Sequence, residues 1–211
     1  MCNSSTTNKL LVLIRTHDER AAETLFSRHK ERLRQMVRLR LDPRLRSRFT
    51  SSAVLEDVFR EVRRRLVEYR HEEGMSFFLW LRRLTGERLQ ALHQQYLGTQ
   101  AAPAGNEVHL YRGALPEANA ASIAGQLLGQ RSQGQAARPA LQVRLQEALN
   151  GMDALDRELL SLCHFEDLQN REAALVLGID ETTASHAYLR ALKRLKEILS
   201  SIPGFFEGAR R

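Results

Sequence analysis

Cysteine is nearly absent from the chain. Its two examples, Cys2 and Cys163, lie far apart and outside any CxxC or Cys/His spacing suited to zinc. A reducing cytoplasm is therefore the expected setting, with no metal site. Long apolar runs are missing too. The longest aliphatic stretch, Leu10 to Ile14, is too short to span a membrane, and no secretory signal follows it. The 12 glycines form no GxGxxG cradle, and the seven histidines accompany no nucleophile elbow, phosphate loop or metal spacing. Acidic pairs such as Glu72-Glu73 and Glu166-Asp167 read as turns or solvated faces, and Cys163-His164 as part of a helix. No catalytic constellation or cofactor site is expected, so the chain does not read as an enzyme.

Aromatics make up only 6% of the 211 residues, whereas 43% are hydrophobic. The core must then be mainly Leu, Val and Ala, which, with abundant Arg and Glu, favour helices. Charged residues at 27% in a mixed pattern argue against wholesale disorder. The expected fold class is all-α. A net charge of +7 points toward an anionic partner such as nucleic acid. The charge is uneven: from Phe26 to Tyr96, 17 Arg and Lys face 9 Asp and Glu, a balance of +8. From Leu141 to Leu199 the corresponding counts are 7 and 10, a balance of −3. The two halves should do different jobs.

Helical periodicity organises the chain. Leu10 to Ile14 begins a short helix, and Asp18 is a candidate N-cap for a longer one carrying Ala22, Leu25, Phe26, Leu33, Met36, Val37, Leu39 and Leu41. Asp42-Pro43 breaks it, because proline lacks an amide donor. Thr50-Ser51-Ser52 offers a cap for a third helix, whose Val54, Leu55, Val58, Phe59, Val62 and Leu66 form one stripe. Glu72-Glu73-Gly74 reads as a turn, after which Ser76 caps a helix to about Leu97. From Gly98 to Pro139 a Gly, Ala, Gln, Ser and Asn texture reads as a linker with room for one short helix. A second compact unit follows, with Asp153 or Asp156, Asn170 and Asp180 as candidate caps.

Two motifs carry chemistry. Between Asn170 and Leu199 the pattern is helix, glycine turn, helix. Ala173-Ala174 allows close approach, and Gly178 tolerates the turn. Ala184, Tyr188 (its ring), Leu192 and Leu195 should face inward. Thr182, Thr183, Ser185, His186 and Arg190 should face outward, with Lys193, Arg194 and Lys196 placed for phosphates. A helical hairpin that binds no DNA is the plainer alternative. The second motif is Phe77-Phe78-Leu79-Trp80-Leu81-Arg82-Arg83, where aromatic and basic side chains together could stack bases and neutralise phosphates of a single strand. Phe77 and Leu81 read as core, and Trp80 is balanced between the two roles.

A basic helical domain with this aromatic-Trp-Leu-Arg helix, then a linker, then a C-terminal helix-turn-helix resembles the extracytoplasmic-function sigma factors of the sigma-seventy family. In texture it is closest to planctomycete-type members. The resemblance divides the chain into a region 2-like domain (9–97), a linker (98–140) and a region 4-like domain (141–200). It implies two small helical domains joined by a flexible linker, with core RNA polymerase and promoter DNA as partners and an anti-sigma factor as a further candidate. Val54, Leu55, Glu56, Asp57, Val58 and Phe59 would then belong to the helix that docks on polymerase. Trp80, Arg82, Arg83 and Arg88 would contact the −10 strand, and the helix-turn-helix would read the −35 element.

Three departures qualify these implications. The docking helix has Ala53 and Glu56 where the family usually has Asp and Gln. The recognition helix reads Ser185-His186-Ala187 where a basic residue is usual, and it opens on Asp180-Glu181, which repels phosphate unless it serves only as a cap. Weakened or altered polymerase and −35 affinity is the consequence. The alternatives are a stand-alone helix-turn-helix regulator, which would dimerise on a palindrome, and a sigma-like adaptor or decoy that has lost promoter readout.

Overall fold

Capping side chains begin most of the helices, as the sequence leads one to expect. The computed structural model describes residues 19–66, 69, 76–98, 116–129 and 138–201. Leu10 to Ile14, the Asp18 cap, the Glu72–Gly74 turn and most of the 98–140 stretch lie outside the described residues. Those that are described are helical with no strand, so the fold is all-α. They fall into two compact units, 1–116 and 117–211.

Among the described residues, the first unit is a bundle of three α-helices: α1 (Glu19–Arg40), α2 (Ser51–Arg65) and α3 (Phe77–Leu97). α1 stops short of Pro43, and the Asp42 carboxylate caps a single 3-10 turn, Pro43–Leu45, by accepting from the Arg44 amide at 2.8 Å. Thr50 is the residue that caps α2, accepting from the Ala53 amide at 3.1 Å. Ser76 does the same for α3 at 3.3 Å from Leu79 N. Such caps are each worth about 1 kcal/mol. α3 ends at Gly98, whose φ of +63° fits the left-handed region.

α3 is the central element. Six consecutive residues, Phe77 to Arg82, are buried, which requires packing on every side of the helix. α1 and α2 both pack on it, and their Leu25, Leu33, Met36, Val54, Leu55 and Val58 are buried. The Trp80 ring lies 5.2 Å from Tyr69 and 5.5 Å from Phe77. An Arg32 guanidinium stacks 3.5 Å above Phe78.

The second unit contains α4 (Ala120–Gly129), α5 (Arg138–Asn150), α6 (Ala154–Leu160), a π turn (Ser161–Phe165), α7 (Asn170–Leu177) and α8 (Glu181–Ser201). α4 is the short helix for which the linker reading left room. It packs on α5 through buried Ile123, Ala124 and Leu127. Glu158 of α6 accepts from the Ala118 amide at 3.2 Å, which ties the chain just before α4 to the same unit. The second compact unit runs over 117–211 and takes in α4. Apolar burial gathers α4 in where composition suggested solvent.

Two details depart from expectation. Glu166, read as solvated, is fully buried beside Ser161, with the Ser161 hydroxyl 3.4 Å from its carboxylate. Cys163, half-buried in the π turn, has its thiol pushed up to about 11 by burial and by Glu166, so it stays protonated and unreactive.

Candidate nucleic-acid interface

The helix-turn-helix is assembled from local rules. α7 opens at Asn170, with the Gln169 amide donating to the Glu172 carboxylate at 3.2 Å, so the cap falls one residue before the expected Asn170. Ala173 and Ala174 are buried, and Gly178 turns the chain at φ +64°. Asp180 caps α8 by accepting from the Thr183 amide at 2.8 Å and from its hydroxyl. These bonds hold the Asp180 carboxyl below the usual carboxylate range. The acid at the head of α8 thus has a capping role, and the Thr183 hydroxyl is engaged by it.

α8 divides into two rows. The inner one is Ala184, Ala187, Ala191, Leu195 and Ile198, all buried. Tyr188 and Leu192, expected inside, are only half-buried, because alanines at 187 and 191 let the helix approach its neighbours along that line instead. Ala187 is therefore a core position, and its departure from a basic residue removes no outward contact. Thr182, His186 and Lys193 stand on the exposed row as expected.

The other predicted readers already have work within the unit. The Ser185 hydroxyl accepts from the Asn170 amide nitrogen at 3.0 Å, linking α7 to α8. Arg190 clamps the buried Asp156 of α6 through two bonds of 2.8 and 2.5 Å, which raise its pKa further. Arg194 pairs with Glu197 at 3.1 Å on the exposed surface. Lys196 is exposed. The sequence reading missed the Asp156–Arg190 clamp, because 34 residues separate partners that only folding brings together.

In the first unit the predicted sites look different once folded. Trp80 and Arg82 are 5% and 1% exposed, so both belong to the core of the bundle and present no surface to a strand. The six-residue buried run is the reason. Arg83 is partly exposed and faces Glu87 at 3.8 Å. Arg88 donates to Asp57 at 3.1 and 2.5 Å, and Arg60 pairs with the same carboxylate. A residue expected to face polymerase and one expected to face DNA thus hold each other. Val54 and Leu55 are buried and cannot dock a partner, and Phe59 packs its ring 4.9 Å from Phe26. Glu56 is exposed and Asp57 partly so. Asp57, Arg60, Glu61, Arg64, Arg65, Glu87 and Arg88 line one charged cleft of about 490 Å³ between α2 and α3.

Among the described residues no group of three or more His, Cys, Asp or Glu side chains is arranged to hold a metal ion. None of their helices is long and apolar enough to cross a membrane.

Comparison with known proteins places this geometry. The family described as Sigma-70, region 4 matches residues 142–195, the stretch from α5 into α8 that contains the helix-turn-helix. Residues 142–195 of the chain are thus a sigma-70 region 4 segment. Its region 4 is the unit built around the Ala184–Ile198 row, and α4 lies outside the matched stretch. No curated protein matches by sequence. Among solved structures, CnrH in complex with the cytosolic domain of CnrY is similar at 20% identity and a TM-score of 0.54. That similarity covers 91% of this chain and 96% of that one. The sigma factor RpoE of Bartonella quintana, solved with the anti-sigma factor NepR, is similar at 16% identity and a TM-score of 0.46. There the coverage is 85% of this chain and 96% of that one. The likeness to CnrH shows that the chain shares its fold across both units.

Proposed function

We propose that the chain is an alternative sigma factor of the extracytoplasmic-function kind. It binds core RNA polymerase, brings it to promoters and directs initiation. The observation that carries this reading is the region 4 helix-turn-helix, which presents Thr182, His186 and Lys193 along one exposed row. A recognition helix of this kind enters the major groove, where polar side chains meet base edges and lysines meet phosphates. The polymerase supplies the chemistry, and this chain supplies recognition without catalysis of its own.

In the first unit, the exposed part of α2 around Glu56 and Asp57 is the docking face for polymerase. Arg88, which lines the α2–α3 cleft, and Arg83, which faces Glu87, are the −10 strand candidates that remain accessible. Core polymerase and promoter DNA are the partners, and the chain acts in the cytoplasm. An anti-sigma factor is a further partner, in keeping with a fold that CnrH shares and that was solved in complex with CnrY.

The decoy reading keeps one observation in its favour: Asp57 and Arg88 are engaged with each other. Gel filtration with core polymerase at low salt, followed by transcription from a promoter library, decides between them. The sigma reading predicts co-elution and a defined start site. Co-elution without initiation supports the decoy. A free dimer that binds a palindrome without polymerase supports the stand-alone regulator, and absence of any polymerase association overturns the sigma reading.

A further inference from the structure

The reading row of α8 contains a residue that its polar chemistry does not explain. Leu189 is 56% exposed, more than any other exposed large hydrophobic side chain among the described residues. An isolated exposed leucine is ordinary on a protein surface. Its position is what matters. Thr182, His186, Leu189 and Lys193 are spaced four, three and four residues apart, so they follow one another along a single face of the helix. That face lies opposite the buried Ala184, Ala187 and Ala191. Whatever meets Thr182, His186 and Lys193 also meets Leu189.

Charge identifies the occupant. Lys193 and Lys196 are exposed on the following turns, and Arg190 is withdrawn to Asp156. A surface that pairs lysines with hydroxyl and imidazole groups suits a phosphate backbone and base edges. In the major groove the one apolar group that any base offers is the 5-methyl of thymine. A protein partner with an acidic rim is the other conceivable occupant, and the test below separates it.

We propose that Leu189 is a specificity-determining residue that packs against the 5-methyl group of a thymine in the −35 element. The proposal rests on the sigma-factor reading and adds a preference that the chain's polar residues do not encode. Cytosine and uracil, which lack the methyl, should both be disfavoured at that position.

The test uses the holoenzyme reconstituted from the full chain and core polymerase, on the promoter that it selects. Each thymine of the −35 element is replaced singly by deoxyuridine, which deletes only the methyl, and binding is measured for the wild type and Leu189→Ala. Losing one buried methyl corresponds to about a fourfold loss of affinity. The wild type should lose about fourfold at one particular thymine. Leu189→Ala should lose a similar factor on the intact promoter and nothing further from deoxyuridine at that position. Alanine is the better helix former, so the variant should fold, and its melting temperature checks this.

Additive losses, or no sensitive thymine in the wild type, overturn the proposal while leaving the sigma reading intact. So does a Leu189→Ala holoenzyme that fails to assemble, which would assign the leucine to a protein contact. If the wild type selects no promoter at all, the sigma reading fails and the proposal with it.

Discussion

The first unit holds most of the positive charge, and the second presents the clearer exposed row of polar and basic side chains. From Phe26 to Tyr96 the balance is +8, yet Arg82 and Arg40 are buried and Arg60, Arg64, Arg65 and Arg88 pair with Asp57, Glu61 and Glu87. From Leu141 to Leu199 the balance is −3, yet Lys193, Lys196 and His186 stand exposed on one helix. Net charge counts residues, whereas recognition depends on which of them a folded surface offers. Arginine in the first unit serves packing and ion pairing as well as any outside partner, because its long stem buries readily and its fork satisfies carboxylates.

That contrast can be broken most directly at Trp80. If it is core, Trp80→Ala should cost about 3–5 kcal/mol of stability. Thermal or denaturant unfolding would show this as a large loss. Unchanged stability with lost −10 strand binding would return Trp80 to the surface.

His29 gives the next effect. It is buried against Phe77 and Phe78, and burial, followed by repulsion from Arg32 and Arg28, lowers its pKa from 6.5 to about 4. The folded unit holds it neutral while the unfolded chain protonates it. The stabilisation is therefore complete above pH 6.5 and is lost as pH falls from 6.5 toward 4. The loss should reach about 3 kcal/mol and then level off. Unfolding measured across that range should flatten in His29→Asn. An equal pH slope in the variant would contradict the assignment.

In the second unit, Asp156→Asn should cost about 2 kcal/mol by loosening the clamp on Arg190, since Asp156 is buried but Arg190 is largely exposed. The readout is the melting temperature of region 4. An unchanged value would mean that Arg190 is free to read DNA after all.

The smallest effect belongs to the cleft. Asp57→Asn should change stability by less than about 1 kcal/mol, because the pair with Arg88 is partly solvated on both sides. A loss above that would make the cleft a structural ion-pair network rather than a surface awaiting partners.

Much of this architecture was legible beforehand. Helix starts at Thr50, Ser76, Asp153 and Asp180 follow from side chains that satisfy orphan amides, and Gly178 follows from the turn it permits. The helix-turn-helix was legible for the same reason: its signals are local. The roles of Trp80, Arg82, Arg88 and Arg190 were not. Each is decided by a partner many residues away, such as Asp57 for Arg88 or Asp156 for Arg190, and spacing along one helix carries no trace of it. Leu189 was available in principle, since it lies opposite the alanine row. The expected inner row ran through Tyr188 and Leu192, and that shift hid it.

The central claim is that the second unit makes polymerase choose promoters through the exposed row of α8. Run-off transcription with core polymerase tests it, comparing the wild type with Thr182→Ala/His186→Ala/Lys193→Ala combined. These side chains are exposed, so the variant should fold and still co-elute with polymerase. The account predicts a defined start site for the wild type and at least about a tenfold drop for the variant, one contact's worth or more of lost readout. Equal transcription from both, at the same start site, would contradict it.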